Sequence, residues 1–212
     1  MPSRRRLQPT PREDPTGVRI IGGSFRGRIL AYSGDVRTRP MKDRVREAMF
    51  NLLAERIRGK RVIDLFAGTG ALAFEALSRG AARATLIERH LPTAKLIEQN
   101  ARTLGVTDRV EVCFSDAFIW GKRFAAGTLP ETSEAAAVSQ PLAVFCSPPF
   151  DFYVSRLEEM LRLLSQLWDL APAGSVFAVE ADERFDFALL PQPATWFVRA
   201  YPPAVIGIGE KG

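Results

Sequence analysis

Apolar residues follow an alternating pattern along this chain from residue 61 onward. Short apolar runs predict buried strands, and each run is followed by a turn and then by apolar residues at helical spacing. The strands predicted in this way are 61–66, 84–88, 110–114, 142–146 and 175–180. The helices predicted between them are 71–80, 92–104, 117–124 and 153–170. This alternation predicts an α/β fold with a doubly wound, mostly parallel sheet that is covered on both faces.

Further elements flank that pattern on both sides. Residues 17–32 contain two short apolar-rich pieces around glycines, which predicts a β-hairpin. Residues 43–57 carry apolar side chains at helical spacing, with Asp43 as the candidate N-cap. Residues 196–208 predict a closing antiparallel strand pair around two prolines.

The remaining segments carry too little apolar surface to pack against a core. Residues 1–16 contain four prolines and four arginines, so we expect a disordered basic tail. Small and polar side chains at 125–140 predict a flexible insertion. The expected organisation is a tail at 1–16, an N-terminal hairpin and helix at 17–60 that faces the substrate, and an α/β domain at 61–212.

Positive charge is concentrated in the first third of the chain. Residues 1–61 carry 16 Lys and Arg against 6 Asp and Glu, whereas residues 62–212 carry 13 against 18. A basic front on a mildly acidic body indicates a polyanionic partner, with nucleic acid first, and a merely solvated surface is the alternative. The side chains expected to contact RNA phosphates are Arg19, Arg26, Arg28, Arg37, Lys42 and Arg44.

Composition argues against several classes of protein. The sequence has no apolar run close to the ~20 residues that a membrane helix needs. No apolar run follows the N-terminal arginines, whereas a secretory signal would have one there. Cys113 and Cys146 lie in apolar stretches, so we expect reduced thiols. The single histidine, His90, argues against a His-rich metal site or a Ser-His-Asp triad. We therefore expect a cytoplasmic monomer with neither a metal nor a membrane partner.

Candidate chemistry gathers where the predicted strands end. Ligands of a doubly wound sheet bind at the carboxyl ends of the strands, near the switch in strand order. The stretch DLFAGTGALA at 64–73 follows a strand and opens a helix, so Gly68 and Gly70 allow the backbone to approach an anion at the helix N-terminus. A dinucleotide pyrophosphate and the carboxylate of S-adenosylmethionine both fit such a turn.

Acidic residues end the next two strands. Glu88 follows Gly68 by 20 residues, where a carboxylate can accept hydrogen bonds from both ribose hydroxyls. Asp116 ends the third strand, and it either accepts from an adenine amino group or caps the following helix. Acidic strand ends in succession predict an adenosine moiety laid across the edge of the sheet.

The fourth of these strands runs directly into SPPF, residues 147–150, which we name the proline corner. Prolines end the strand and stiffen the turn, which fixes a carbonyl group and an aromatic face. Hydrogen-bond acceptors aimed at the N–H groups of a nucleobase amine make its nitrogen nucleophilic, and an aromatic ring stacked on the base keeps the amine aligned for reaction. This favours amine methylation over the alternative of a nicotinamide oxidoreductase. The predicted catalytic residues are Ser147, Pro148, Pro149 and Phe150.

Four stretches together resemble one enzyme family. TRPMKDRVREAMFNLL, VIDLFAGTGALAFEALSRGAA, LIERH and SPPF are similar to the RsmD-type methyltransferases, in order and with matching spacing. The resemblance implies a Rossmann-like class I domain with a seven-stranded sheet, one strand of which is reversed. It also implies S-adenosylmethionine as methyl donor and a guanine N2 amine in small-subunit ribosomal RNA, or in the assembling subunit, as acceptor.

The resemblance further implies roles for individual residues. By matching positions, Asp64, Gly68 and Gly70 would meet the methionine part of the cofactor, Glu88 the ribose and Asp116 the adenine edge. The rest of the expected cofactor set is Phe66 with Thr38, Arg39 and Pro40, which match the family's TRP and would border the cleft.

Ser147 departs from the family pattern, in which the corner normally begins with Asp or Asn. A Ser hydroxyl is a neutral and weak hydrogen-bond acceptor. Losing the charge-assisted acceptor would cost ~2–4 kcal/mol of transition-state stabilisation, which lowers the rate by ~10²–10³-fold. Two alternatives therefore stay open: a weakened or inactive relative that binds cofactor or RNA, and an amine methyltransferase for another nucleic-acid base.

Overall fold

The computed structural model of the chain describes residues 17–34, 40–129 and 139–212. The tail predicted at 1–16 lies outside the described residues. So do residues 130–138 of the predicted insertion and the site candidates Arg37, Thr38 and Arg39.

The described residues form nine strands and six α-helices. The strands are β1 Gly17–Arg19, β2 Ile29–Ala31, β3 Arg61–Asp64, β4 Arg83–Glu88, β5 Val110–Phe114, β6 Leu142–Cys146, β7 Val176–Asp182, β8 Trp196–Tyr201 and β9 Ala204–Glu210. The helices are α1 Asp43–Leu53, α2 Ala71–Ser78, α3 Leu91–Leu104, α4 Ala117–Ala125, α5 Phe152–Ser155 and α6 Leu157–Leu170. The predicted hairpin at 17–32 is the antiparallel pair of β1 and β2.

Two predicted helices differ from their expected form. Helix α1 begins at Asp43, with Lys42 at the capping position, so the prediction that Asp43 caps it is wrong by one residue. The Asp43 carboxylate instead pairs with the buried Arg46 guanidinium at 3.0 Å. The helix predicted at 153–170 divides at Arg156, whose backbone leaves the helical region and separates α5 from α6.

The seven-stranded sheet confirms the predicted fold class. Its strand order is β5-β4-β3-β6-β7-β9-β8. Strand β3 pairs in parallel with both β4 and β6, and β9 runs antiparallel between β7 and β8 as the reversed strand. The chain therefore leaves β3, the third of the seven strands, first towards β4 and later towards β6, which opens a crevice at the carboxyl ends of these strands.

Apolar side chains cover both faces of this sheet. One face packs against α1, α2, α3 and the hairpin, with Phe50 and Phe74 fully buried. The other face packs against α4 and α6, where Trp120 and Trp168 are buried. Both helix layers fix the sheet, and the strand ends that carry polar residues are held in place as a result.

The N-terminal hairpin segment is attached to α2 by a buried carboxylate. Glu75 accepts hydrogen bonds from the backbone N–H groups of Ile21 at 2.7 Å and Gly22 at 2.8 Å. The Ser78 hydroxyl, one turn later, accepts from the Phe25 N–H at 2.8 Å. These bonds place residues 17–31 on the same core as the main domain, while the substrate-facing role expected of residues 17–60 stays a prediction.

Both cysteines are free thiols, as expected. Burial raises the pKa of Cys146 to about 12, so this thiol stays protonated. Within the described ranges, no helix is long and apolar enough to cross a membrane.

Candidate active site at the carboxyl ends of the strands

A cavity of about 640 Å³ opens at the carboxyl ends of β3, β4, β6 and β7. It has the size of a small-molecule site, and it lies at the switch in strand order where the fold class predicts a ligand. Most of the predicted site residues within the described ranges meet there. The lining includes Pro40, Lys42, Phe66, Gly68, Glu88, Asp116, Ser147, Pro148, Pro149 and Phe150.

The glycine turn between β3 and α2 has the left-handed backbone that its sequence predicts. Gly68 has φ of +51° and Gly70 has φ of +76°, a region that residues with a Cβ rarely adopt. A Cβ at Gly70 would also lie 2.7 Å from the Phe74 ring. Gly68 lines the cavity, whereas Gly70 supports the turn from beneath as the residue before α2.

Glu88 ends β4 and holds the glycine turn. Its Oε2 atom accepts from the Gly68 N–H at 2.9 Å, and its Oε1 atom accepts from the His90 N–H at 2.7 Å. Each carboxylate oxygen has a further lone pair, and the side chain lines the cavity. Glu88 can therefore take two hydroxyl donors without giving up the bonds that position it.

Asp116 has the capping role, one of the two that its position allowed. Its Oδ1 atom caps α4 by accepting from the Phe118 N–H at 2.9 Å and the Ile119 N–H at 3.4 Å. Its Oδ2 atom is 4.0 Å from the Arg156 guanidinium, and the residue lines the cavity. The capping role is confirmed, Oδ2 takes no part in the cap, and the contact with adenine stays a prediction.

Asp64 is fully buried below the glycine turn and is not part of the cavity lining. Burial raises the pKa of Asp64 to about 7, although nearby N–H groups of Ala73 and Phe66 oppose that shift. Neither carboxylate oxygen has a hydrogen-bond partner of regular geometry among the described residues. A buried carboxylate in this state gains from any cationic donor that arrives at the turn.

The proline corner follows β6, the strand that pairs with β3 on the side away from β4. Pro148 is buried, Ser147 and Phe150 are half-buried, and all three line the cavity. The carbonyls of Pro149 and Phe150 accept from N–H groups at the start of α5, whereas no backbone N–H of the described residues donates to the Pro148 carbonyl. This carbonyl therefore has no backbone donor, and its role as an acceptor for a substrate stays a prediction.

Ser147 has a partner that the sequence did not indicate. Its hydroxyl donates a short hydrogen bond to Oε2 of Glu180, on β7. Glu180 is 6% exposed and lines the same cavity. Burial raises the pKa of the Glu180 carboxyl above its ordinary value, and the bond from Ser147 acts in the opposite direction.

Aromatic side chains close one side of the cavity. The Phe66 ring lies 5.9 Å from Phe118 and 6.1 Å from Phe152, both in edge-to-face geometry. The Arg156 guanidinium stacks over Phe118 at 3.8 Å. This apolar wall adjoins Asp116 and suits the face of a planar base.

The predicted RNA-contacting side chains within the described ranges divide into two groups. Lys42 lines the cavity, and the Arg44 guanidinium donates to the Pro202 carbonyl at 2.8 Å, beside the lining residue Pro203. Arg19, Arg26 and Arg28 are exposed on the hairpin segment outside the lining, with Arg28 bonded to the Thr103 carbonyl at 2.8 Å.

Several lining residues were not predicted from the sequence. Glu180 ends the run SVFAVE, so the rule that found Glu88 and Asp116 also applies to it. Arg89 and Ser115 directly adjoin predicted residues, and Phe152 follows the proline corner by two positions. In the part of the chain that the structure describes, no cluster of three His, Cys, Asp or Glu side chains is placed to hold a metal ion.

Comparison with known proteins agrees with this architecture. The sequence profile of the family "Conserved hypothetical protein 95" matches residues 18–198. The Ribosomal RNA small subunit methyltransferase D of Escherichia coli K12 is 37% identical over 180 residues, which cover 84% of this chain and 81% of the relative. The protein of the same name from Haemophilus influenzae is 34% identical over 161 residues, 76% of this chain and 77% of the relative.

A solved structure described as the candidate methyltransferase yhhF of Escherichia coli superposes with a TM-score of 0.69 at 32% identity, covering 92% of this chain and 98% of that one. The fold and the cavity at its strand ends define a class I methyltransferase. The chain belongs to the Conserved hypothetical protein 95 family, and its resemblance to the RsmD-type methyltransferases is confirmed.

Proposed function

We propose that this protein transfers a methyl group from S-adenosylmethionine to the exocyclic N2 amine of a guanine in small-subunit ribosomal RNA. One observation carries the proposal: the proline corner faces the same cavity as Glu88 and Asp116. A site for the donor and a site for a nucleobase amine therefore share one space. The relatives named as small-subunit ribosomal RNA methyltransferases support the choice of substrate.

The residues of the cavity fit S-adenosylmethionine. The Glu88 carboxylate offers two oriented acceptors for ribose hydroxyls, and Oδ2 of Asp116, which does not cap α4, would accept from an adenine amino group. The buried Asp64 carboxylate favours an ammonium group at the turn, where Gly68 exposes backbone. When bound, this cofactor supplies a methyl group on a positively charged sulfur.

The protein's own part in the reaction is to orient the amine and accept its proton. The Pro148 carbonyl and the Ser147 oxygen accept from the two N–H groups, which draws the nitrogen lone pair out of conjugation with the ring. Phe150, fixed by the two preceding prolines, stacks on the base. A base within a duplex would have to leave the stack to reach this corner.

Residues outside the cavity are proposed to hold the RNA backbone. Lys42 and Arg44 lie at the cavity and beside it, so they would contact phosphates next to the target nucleotide. Arg19, Arg26, Arg28 and Arg37 would extend this contact with phosphates, and Thr38, Arg39 and Pro40 would border the cleft. Action as a cytoplasmic monomer stays a prediction.

The proposal is tested by methylation of small subunits purified from cells that lack this gene. The purified protein and methyl-labelled S-adenosylmethionine are added, and the RNA is digested to nucleosides for mass spectrometry. N2-methylguanosine at one position is the expected product. Large subunits and DNA serve as controls.

Three results would contradict the proposal, each in a different way. Label in an adenine or in DNA would support the alternative acceptor. Cofactor binding by calorimetry without transfer to any substrate would identify an inactive relative. No binding of S-adenosylmethionine at millimolar concentration would exclude the methyltransferase reaction itself.

A further inference from the structure

Ser147 and Glu180 are adjacent because of the register between two parallel strands. Strands β6 and β7 pair with Cys146 opposite Val179. Ser147 directly follows β6, and Glu180 is the next residue of β7, so both side chains leave the sheet on the same face. The hydroxyl donates to the carboxylate, and both residues line the cavity.

This arrangement places a carboxylate one strand away from the position where the family carries Asp or Asn. The Ser147 hydroxyl donates its hydrogen bond to Glu180, so its oxygen keeps both lone pairs for a donor in the cavity. A hydroxyl bonded to a buried carboxylate is a better acceptor than a free one, because hydrogen bonds in a chain polarise one another.

We propose that Ser147 and Glu180 act as a pair that replaces the missing Asp or Asn: Ser147 contacts the target amine, and Glu180 receives the proton through it. This inference rests on the proposed function and concerns the same site. Glu180 is a positioning residue in this scheme, since it acts through Ser147.

The proton balance of the step is complete. The amine nitrogen forms its bond to the methyl carbon, and the carbon–sulfur bond breaks with its electron pair going to sulfur. One amine proton passes to Oγ of Ser147 while the Ser147 hydroxyl proton passes to Oε2 of Glu180. The products are a neutral N-methyl amine and a protonated Glu180, which returns its proton to water in the open cavity.

The surroundings of Glu180 suit a proton acceptor. Its raised pKa, caused by burial, brings the carboxyl closer to neutral pH than an exposed glutamate. From α5, Tyr153 faces it, and burial together with Cys146 and Glu180 raises the pKa of that phenol, so Tyr153 stays neutral. Among the described residues, the other charged or titratable side chains that line the cavity are Lys42, Glu88, Arg89, His90 and Asp116.

The first measurement uses the protein without cofactor. Infrared spectroscopy with an isotope-edited glutamate follows protonation of Glu180, with Glu180→Gln to assign the signal. Ser147→Ala should raise the pKa of Glu180, because the bond from Ser147 lowers it. An unchanged pKa in Ser147→Ala would show that the two side chains are not coupled.

The second measurement is turnover under saturating S-adenosylmethionine. Glu180→Gln and Ser147→Ala should each lower kcat about 100-fold at an unchanged KM for the RNA. The double variant should be at most about threefold slower than either single variant, because the two side chains act as one unit. Glu183→Gln, on an exposed residue three positions along, is the matched control.

The pH profile separates a proton acceptor from a merely structural residue. The wild-type rate should rise with pH through the pKa of Glu180 and lose this acidic limb in Glu180→Gln. Ser147→Asp alone places two carboxylates side by side, and their repulsion favours a bound proton. The acidic limb of the pH–rate profile therefore shifts to higher pH. The double variant that combines Ser147→Asp with Glu180→Gln should regain the activity that Glu180→Gln alone has lost.

The outcomes distinguish this inference from the proposed function. A wild-type enzyme that methylates RNA, with Glu180→Gln within about threefold of it, overturns the pair and leaves the function intact. A wild-type protein that binds S-adenosylmethionine and methylates no nucleic acid overturns both. Loss of cofactor affinity in Glu180→Gln would make this residue part of the cofactor site and would also overturn the pair.

Discussion

The Glu88 carboxylate accepts a hydrogen bond from the Gly68 backbone N–H at 2.9 Å. This bond joins the end of β4 to the turn that follows the neighbouring strand β3. Its second oxygen accepts from the His90 N–H at 2.7 Å. The glycine turn and the ribose-binding candidate are therefore one unit. The cavity wall is ordered by Glu88 before any ligand binds, which reduces the entropy that binding must overcome.

The first prediction concerns Glu88→Gln. An amide has one acceptor oxygen, and its NH₂ group would face a backbone N–H, so one of the two bonds is lost. We expect S-adenosylmethionine to bind about 10- to 100-fold more weakly, as for the loss of a hydrogen bond to a charged group. Isothermal titration calorimetry measures the Kd. Glu98→Gln, on the exposed side of α3, is the control, and equal Kd values for the two variants would contradict the role of Glu88.

A second prediction uses the raised pKa of Asp64. The folded protein keeps this proton up to about pH 7, whereas the unfolded chain releases it near the ordinary value of 3.8. The folded state therefore binds more protons between these values, and the free energy of unfolding falls as pH rises through them. Asp64→Asn removes this term and should be more stable than wild type at pH 8 by at most about 4 kcal/mol.

Urea denaturation from pH 4 to pH 8 measures the effect of Asp64. The difference between Asp64→Asn and wild type should grow with pH and level off above neutrality. The exposed Asp108→Asn should show no such trend. A constant difference between the Asp64 variant and wild type would mean that the buried carboxyl titrates normally.

The fold was largely predictable because its signals are local. Strand runs such as LAVFC and caps such as Gly105 depend on a few neighbouring residues, and the structure has them at the expected places. The break at Arg156 was not predictable in this way. Its guanidinium lies over Phe118 and pairs with Glu159, and the contact with Phe118 on another helix exists only after the helices pack.

The site was predicted in part for the same reason. Glu88 and Asp116 follow strands in chain order, so each is recognised from its own strand. The nearness of Ser147 to Glu180 depends on the pairing of β6 with β7, which are separated by α5 and α6. The pairing of strands that are distant in the chain is a tertiary property, and the local pattern of each strand does not show which residues lie side by side.

A third prediction tests the attachment of the hairpin. Glu75 is fully buried, and Glu75→Ala would leave the Ile21 and Gly22 N–H groups and the Arg79 guanidinium without their acceptor. We expect a loss of about 3–5 kcal/mol in the free energy of unfolding. Chemical denaturation measures it, with the exposed Glu47→Ala as control.

Hydrogen exchange in the same variants locates the effect of Glu75. Residues 17–31 should lose protection in Glu75→Ala before the central sheet does. Uniform loss over the whole chain would mean that the carboxylate supports the core in general and not the hairpin in particular.

A fourth prediction separates the two roles of Asp116. Asn is an equally good N-cap, so Asp116→Asn should keep its stability within about 0.5 kcal/mol, whereas Asp116→Ala should lose about 1 kcal/mol. Both variants lose the negative charge that we propose lies near the adenine amino group, so both should bind S-adenosylmethionine more weakly than wild type. Thermal denaturation and calorimetry measure the two effects separately. A normal Kd in Asp116→Asn would restrict Asp116 to its capping role.

The last prediction concerns RNA binding by Lys42 and Arg44. Each phosphate contact releases counterions, so the logarithm of the binding constant falls with the logarithm of salt concentration in proportion to the contacts made. The double variant Lys42→Ala and Arg44→Ala should reduce that slope by about 1.4, at ~0.7 per contact on single-stranded RNA. Filter binding of a small-subunit RNA fragment between low and high salt measures the slope. Arg58→Ala removes an exposed arginine before β3, at the opposite end of the strands, and should leave it unchanged. An equal reduction in both variants would show that the RNA is held by overall charge and not at the mouth of the cavity.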